Sequence, residues 1–383
     1  MADVDDESPD SNVIWEVGVF DAHCHPTDIM TSLESIESMK PRVLTVMSTR
    51  AQDQDLVAQA ASRYYLQSRD NLDGGRFVVP AFGWHPWFSY QLYDDREETS
   101  DVSAEEQYKR VLTPSPEDKS FLDALSKPKA LSAFLAETER RLLNHPFALV
   151  GEIGLDRAAR LPVFTHADLE SSAIYKHADG DYTPGTREAR PLSPYRVTMD
   201  HQKVVLRAQL ELAAKHKRPV SVHSVQAHGV VFDLLQSMWA GHEKLSKSKQ
   251  KRRRSVANAH EIDDRLETPA KSIPYPPRIC MHSYSGPVDP LKQFLAPNVP
   301  ADVYFSFSEV INFSNASAAK VVEVIKAVPA DRILVESDLH CAGPKMDSLL
   351  QDVVLRVCEI KGWELRDGAQ QLRRNWETFV FGS

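Results

Sequence analysis

Eight short runs of β-branched and apolar residues constrain this chain more than any other feature. Each is bounded by turn residues, and most are followed by a stretch of helical periodicity. The runs are 17–22, 42–48, 77–83, 147–153, 219–223, 278–283, 303–309 and 333–338. Helical patterns lie between them at 53–67, 120–143, 198–217, 228–239, 315–327 and 346–360, and a last one at 367–380 closes the chain. In the third of these, Val204, Val205, Leu206, Leu210 and Ala213 make one apolar helical face. Strand and helix alternating eight times predict an α/β fold of TIM type, a (β/α)8 barrel.

A plain barrel needs about 250 residues, and this chain has 383. Three long connections absorb the excess. Residues 88–119 are polar and acidic before running into a helix, and 157–197 are irregular, with Pro162, Pro184, Pro191 and Pro194. Residues 240–277 contain KLSKSKQKRRR, with seven basic side chains between Lys244 and Arg254. That basic run reads as a solvated loop; a nuclear address or a phosphate-contacting arm are the other readings. Residues 1–12, carrying Asp3, Asp5, Asp6, Glu7 and Asp10, read as an acidic disordered tail, which leaves 13–383 as one barrel domain with insertions.

The tail lacks the basic and apolar regions of a signal peptide, and no apolar run approaches a membrane span. The four cysteines (Cys24, Cys280, Cys341 and Cys358) form neither a C-x-x-C pair nor a dense framework. The expectation is a reduced intracellular protein, cytoplasmic or nuclear, with no membrane partner. Its net charge of −9 provides no global field for nucleic acid, so any such binding must be local.

Active sites of such barrels lie at the C-terminal ends of the strands. Five of the eight runs end in a potential metal ligand: His23 and His25, then Glu152, His223, His282 and Asp338. Side chains two apart on a strand point the same way, so His23 and His25 present two imidazoles to one point, while Cys24 faces away. Six ligands exceed one tetrahedral zinc site, and a carboxylate can bridge two ions. The resulting expectation puts His23, His25 and Asp338 on one ion, His223 and His282 on the other, and Glu152 between them. Ions about 3.5–4 Å apart lower the pKa of a shared water and clamp the attacking and leaving oxygens of a phosphate ester, with Asp338 available to accept the water proton. Cys280 shares parity with His282 but lies one layer deeper, so both Cys24 and Cys280 are expected in the core. His166, His177, His242 and His260 fall in the insertions and are expected at the surface; His340 is near enough to Asp338 to reach the site.

The strings DAHCHPTD, FGWHPW, VGEIGLDR, RPVSVHS, CMHSYSG and ILVESD, in that order, resemble the TatD-related deoxyribonucleases of the metal-dependent, amidohydrolase-like barrel hydrolases. The resemblance spans about 14–340 and includes HQKVVLRAQLELAAKHKRPV, similar to the family's helix before the fifth strand. It implies a TIM-type barrel holding divalent metal, here two ions of zinc, manganese or magnesium. It also implies hydrolysis of nucleic-acid phosphodiesters, often exonucleolytic. The family's ligands fall on His23, His25, Glu152, His223, His282 and Asp338, with Asp338 and Glu152 as the catalytic carboxylates, and His85 matches a family histidine near the substrate. Three positions depart from the pattern. Val225 stands where members commonly have Arg, Arg157 follows GLD where an aromatic is usual, and LHCAG follows Asp338 in place of a proline-containing turn. Arg157 is the candidate to supply the missing cation, beside His85, on the substrate side. Two other readings keep the barrel: the same metals acting on a small ester or amide, and a protein-interaction partner that binds through the enlarged loops.

Overall fold

In the computed structural model, which describes residues 12–96, 103–163, 175–177, 180–183, 185, 187, 190–244, 273–314 and 318–382, the eight runs become eight parallel strands. They are β1 (Phe20–Cys24), β2 (Val43–Met47), β3 (Phe77–Ala81), β4 (Val150–Asp156), β5 (Val220–Val225), β6 (Arg278–Met281), β7 (Asp302–Phe307) and β8 (Ile333–Val335). They pair in the orders β1-β2-β3 and β8-β7-β6-β5-β4. Backbone bonds join these two sheets at both seams. Phe82 N–H donates to Leu149 O at 3.1 Å between β3 and β4, and Asp338 N–H donates to His23 O at 3.0 Å between β8 and β1. Residues of β1 and β2 are buried on both faces, as a parallel sheet covered by helices requires. Inside the ring, Phe20, Met47, Ala81, Cys280, Tyr304 and Leu334 pack as one apolar cluster with Trp376 and Phe379 of the C-terminal helix Leu365–Phe381.

Differences from the expected elements have local causes. β1 begins at Phe20 rather than 17, because Asn12–Val17 is helical and Gly18, at φ +101°, turns the chain. The single helix expected at 120–143 is two, Lys119–Asp123 and Leu131–Asn144, separated by a segment containing Pro128, which lacks an N–H donor. The acidic stretch 88–119 is not merely a polar loop. It holds the helix Ala104–Val111, opened by a capping box between Ser103 and Glu106, an S-x-x-E signal present in the sequence.

That helix serves a second core. Tyr108, Val111 and Leu112 pack with Trp84, Phe121, Phe134 and Val205, against the helix Met199–Lys215. Arg196–Val197 pairs antiparallel with Leu112–Thr113, so the first two insertions are joined to each other as well as to the barrel. Cys24 and Cys280 are buried. The tail residues 1–11, the basic run from 245 to 254, His166 and His260 lie outside the described residues. Among the described residues, no helix is long and apolar enough to cross a membrane.

Candidate metal centre

Glu152 is the third residue of β4, which runs on to Asp156 instead of ending at 153. Its backbone N–H donates to Ser48 O at 2.9 Å, level with the end of β2, so it reaches the same rim as the other ligands. Its Oε2 lies 3.4 Å from His23 Nε2 and 3.3 Å from His25 Nε2. Its Oε1 lies 2.9 Å from both His223 Nδ1 and His282 Nε2, and 3.0 Å from His85 Nε2. Asp338 Oδ1 is 3.6 Å from His25 Nε2 and 3.8 Å from His23 Nε2. All six predicted ligands therefore meet around one buried carboxylate, and His85 meets them there. Close approach of β4 and β5 makes this possible: a Cβ added at Gly154 would sit 2.0 Å from His223 O.

His23, His223 and His282 each have the second ring nitrogen engaged, which fixes the one that faces inward. His23 Nδ1 is 2.8 Å from Ser221 Oγ. His223 Nε2 is 3.1 Å from Asp156 Oδ2, and that oxygen also accepts from Trp87 Nε1 at 2.6 Å. His282 Nδ1 is 3.3 Å from Glu336 Oε1, which accepts from the Ser283 N–H at 2.8 Å. His85 is different. Its Nδ1 accepts the backbone N–H of Trp87 at 3.1 Å, so the neutral ring carries its proton on Nε2 and donates to Glu152. Distance alone groups His85 with Glu152 and His223 as metal donors; the tautomer makes it a hydrogen-bond donor instead. Sequence reasoning assigned nothing to Ser221, Asp156, Trp87 or Glu336. All lie inside the quoted strings, but their partners sit on other strands.

Burial alone would raise the Glu152 carboxyl, yet His85, His282 and His23 around it and the hydrogen bond from His223 hold it well below the ordinary range. Burial likewise opposes ionisation of Asp338, and the hydrogen bond from His25 and the nearby His282 bring it to about 2. Against burial, bonds to Asp338 and Glu152 lift His25 to about 10. His282 and His223 are raised too, through Glu152 with Glu336 and through Asp156 with Glu152. Burial drives His85 down to about 4, in keeping with a neutral donor. The cluster thus holds protons that a cation must displace.

Nitrogen and oxygen donors at about 2.0–2.2 Å from one ion stand roughly 2.8–3.6 Å apart for octahedral to tetrahedral angles. His23 and His25 Nε2 are 3.1 Å apart, and the His223 and His282 nitrogens are 3.3 Å apart. With the distances to Glu152, these are the edges a divalent cation would span. His23–His25–Glu152 and His23–His282–Asp338 are both groups that fit one.

A profile of the family described as TatD related DNase matches residues 20–380. The chain belongs to that family. It is a TatD-family hydrolase. It is 37% identical over 365 residues to the Cut9-interacting protein scn1 of Schizosaccharomyces pombe, covering 94% of this chain and 98% of that protein. It is 25% identical over 371 residues to the uncharacterized deoxyribonuclease YMR262W of Saccharomyces cerevisiae, covering 94% and 97%. The crystal structure of the TatD homologue YJJV from Escherichia coli superposes with a TM-score of 0.52 at 17% identity, over 96% of this chain and 99% of that one, and shows the same fold.

The TatD-type centre opens into a cavity of about 350 Å³. His85 lines it, and so does His340, whose Nδ1 is 2.7 Å from Asp28 Oδ2 and whose ring stacks on His25. Arg157 does not line it. Beyond the end of β4 its backbone N–H donates to Val225 O at 3.1 Å, and the residue is exposed. Among the described residues, the arginines on the cavity wall are Arg50 and Arg187.

Proposed function

We propose that this hydrolase is a phosphodiesterase acting on nucleic acid, a deoxyribonuclease that works with two divalent ions. The observation that carries the reading is the division of Glu152, with one oxygen toward His23 and His25 and the other toward His223 and His282. Bound there, the ions supply a water of lowered pKa and an electrophilic clamp for phosphate oxygens. Glu152 holds the two halves of the site at a fixed separation. Asp338, an anion at neutral pH beside His25, is placed to accept a proton from the attacking water. His85 keeps one N–H aimed into the site at neutral pH. Turnover of single-stranded DNA, RNA and bis(p-nitrophenyl) phosphate by protein of measured metal content tests the reading. Metal-loaded protein inactive on all three, but active on a neutral ester or amide, replaces it with the small-substrate reading.

A second role has its own support in the 37% identity to a protein named for an interaction with Cut9. In that reading the insertions carry a protein-binding surface alongside the hydrolase. Affinity purification of the tagged chain and its Asp338→Asn variant tests it. A partner recovered equally by both supports the role; none recovered by either refutes it.

A further inference from the structure

We infer that the aliphatic side of the cavity, built by Val225, Val310, Ile311 and Leu339, is the subsite that seats a nucleobase of the substrate, with Ile311 as its specificity-determining residue. This rests on the phosphodiesterase reading and adds to it the part of the substrate that is recognised beside the phosphate.

The cavity wall is divided between the two halves of the barrel. Charged side chains line the β1–β4 half: Asp28 follows β1, Arg50 follows β2, and Arg187 comes from the insertion after β4. Two aromatic rings on this half have the shape to stack a base, but each already has a guanidinium over it. Arg50 lies 5.5 Å from the centre of the Phe88 ring, and Arg187 lies 4.2 Å from that of Trp87. Beyond the metal donors, the β5–β8 half carries serines and aliphatic side chains, with His340 at its seam beside Asp28. Val225 ends β5 with the parity of His223, so it faces the same interior. Val310 and Ile311 follow β7, and Leu339 follows Asp338. A nucleotide has the same two sides: an anionic phosphodiester, which the metal centre takes, and a flat ring whose faces gain by leaving water for aliphatic contact.

Ile311 is the second observation. Five large apolar side chains are exposed among the described residues, and Ile311, at 39%, is the one of them on the cavity wall. A single exposed aliphatic residue is ordinary on an outer surface; this one is held in place over the metal centre. It sits in a π-helical turn, Glu309–Phe313, a rare geometry. Its backbone N–H donates to Ser308 Oγ at 3.3 Å, and Ser308 N–H donates to Asn312 Oδ1 at 2.8 Å. Asn312 is buried, and its Nδ2 donates to Tyr284 O at 3.1 Å, which ties the turn to the segment that follows His282. On the outer side, Arg356 Nε donates to Glu309 Oε2 at 2.8 Å. A turn braced in this way presents a preformed apolar contact, so little ordering is left to oppose binding. Phosphate oxygens gain nothing from such a surface; a base buries it.

The test uses the metal-loaded full chain, with Ile311→Ala, Ile311→Leu and Val225→Ser beside the wild type. Binding of thymidine 5′-monophosphate and of 2-deoxyribose 5-phosphate, which has the same sugar and phosphate without the base, is measured by calorimetry. The wild type is expected to bind the nucleotide more tightly than the sugar phosphate. In Ile311→Ala that preference should fall roughly 4- to 16-fold, the equivalent of one or two methylene groups losing contact at about fourfold each. Affinity for the sugar phosphate and metal content should stay at wild-type values. Ile311→Leu should restore most of the preference, and Val225→Ser should lower it in the same direction. Equal affinity of the wild type for the two ligands, or a preference unchanged in Ile311→Ala, overturns the assignment alone. A wild type that binds neither ligand and leaves single-stranded DNA uncut overturns the phosphodiesterase reading and this assignment with it.

Discussion

Asp156 Oδ2 lies 3.1 Å from His223 Nε2, and that contact decides that Nδ1, not Nε2, faces Glu152. Asp156 also caps the turn after β4 by accepting from the N–H groups of Ala158 and Ala159 at 2.7 and 2.8 Å through its other oxygen. Asp156→Asn keeps an oxygen for the turn and removes the charge that holds the imidazole. Metal affinity is expected to fall about 10- to 100-fold with the circular dichroism spectrum unchanged. Metal titration of both proteins decides it, and equal dissociation constants would remove Asp156 from the account.

Asp338 and Glu152 should separate in their variants. Asp338 sits at φ +54°, a left-handed conformation that Asn also tolerates, so Asp338→Asn is expected to fold normally. It should retain most of its metal and lose about 10²–10⁴-fold in turnover, the usual contribution of a general base. Glu152→Gln should lose metal as well, since both donor groups face its carboxylate. Metal content and turnover are to be measured on the same samples. Near wild-type turnover in Asp338→Asn would mean that Asp338 is not the base.

The eight strands were legible because parallel strands buried on both faces leave continuous apolar runs, and the candidate ligands because each lies at or near the end of such a run. Their partners were not. Ser221, Asp156 and Glu336 act through contacts 198, 67 and 54 residues distant in sequence, and no local pattern marks those pairs. Arg157 was drawn to the substrate side by its place in the string, yet it lies past the end of the strand. Arg187 was invisible within an irregular, proline-rich stretch, since only the tertiary path of that stretch brings it over Trp87. The second core was hidden for a related reason: its apolar residues are spread between acidic ones, and their partners come from three separate segments.

That second core gives a stability prediction. Phe134 is 1% exposed and meets Trp84 edge to face at 5.0 Å. Phe134→Ala should cost about 3–5 kcal/mol by urea denaturation, whereas an insertion lying loosely on the barrel would give a change near zero. Its metal content should match the wild type, because the cluster sits outside the donor set.

The last prediction concerns Asp21, which is buried at the base of the site. Burial lifts its carboxyl to about 7, although Ser337 Oγ at 2.5 Å and the N–H groups of His23 and Ser337 at 3.0 and 3.1 Å pull the other way. An unfolded Asp titrates near 3.9. Between roughly pH 4 and 7 the unfolded chain has therefore released this proton while the folded chain still holds it. The stabilisation it contributes is full below pH 4 and is lost as pH rises through about 7. Asp21→Asn is neutral throughout, and its amide can accept from the same two N–H groups while donating to Ser337 Oγ. With chelator present, so that metal binding does not enter, urea denaturation of both proteins at several pH values isolates this one group. The stability of the variant relative to wild type should climb from pH 4 to 7 and level off above. A difference that stays flat across that interval would mean that Asp21 is already ionised in the folded protein.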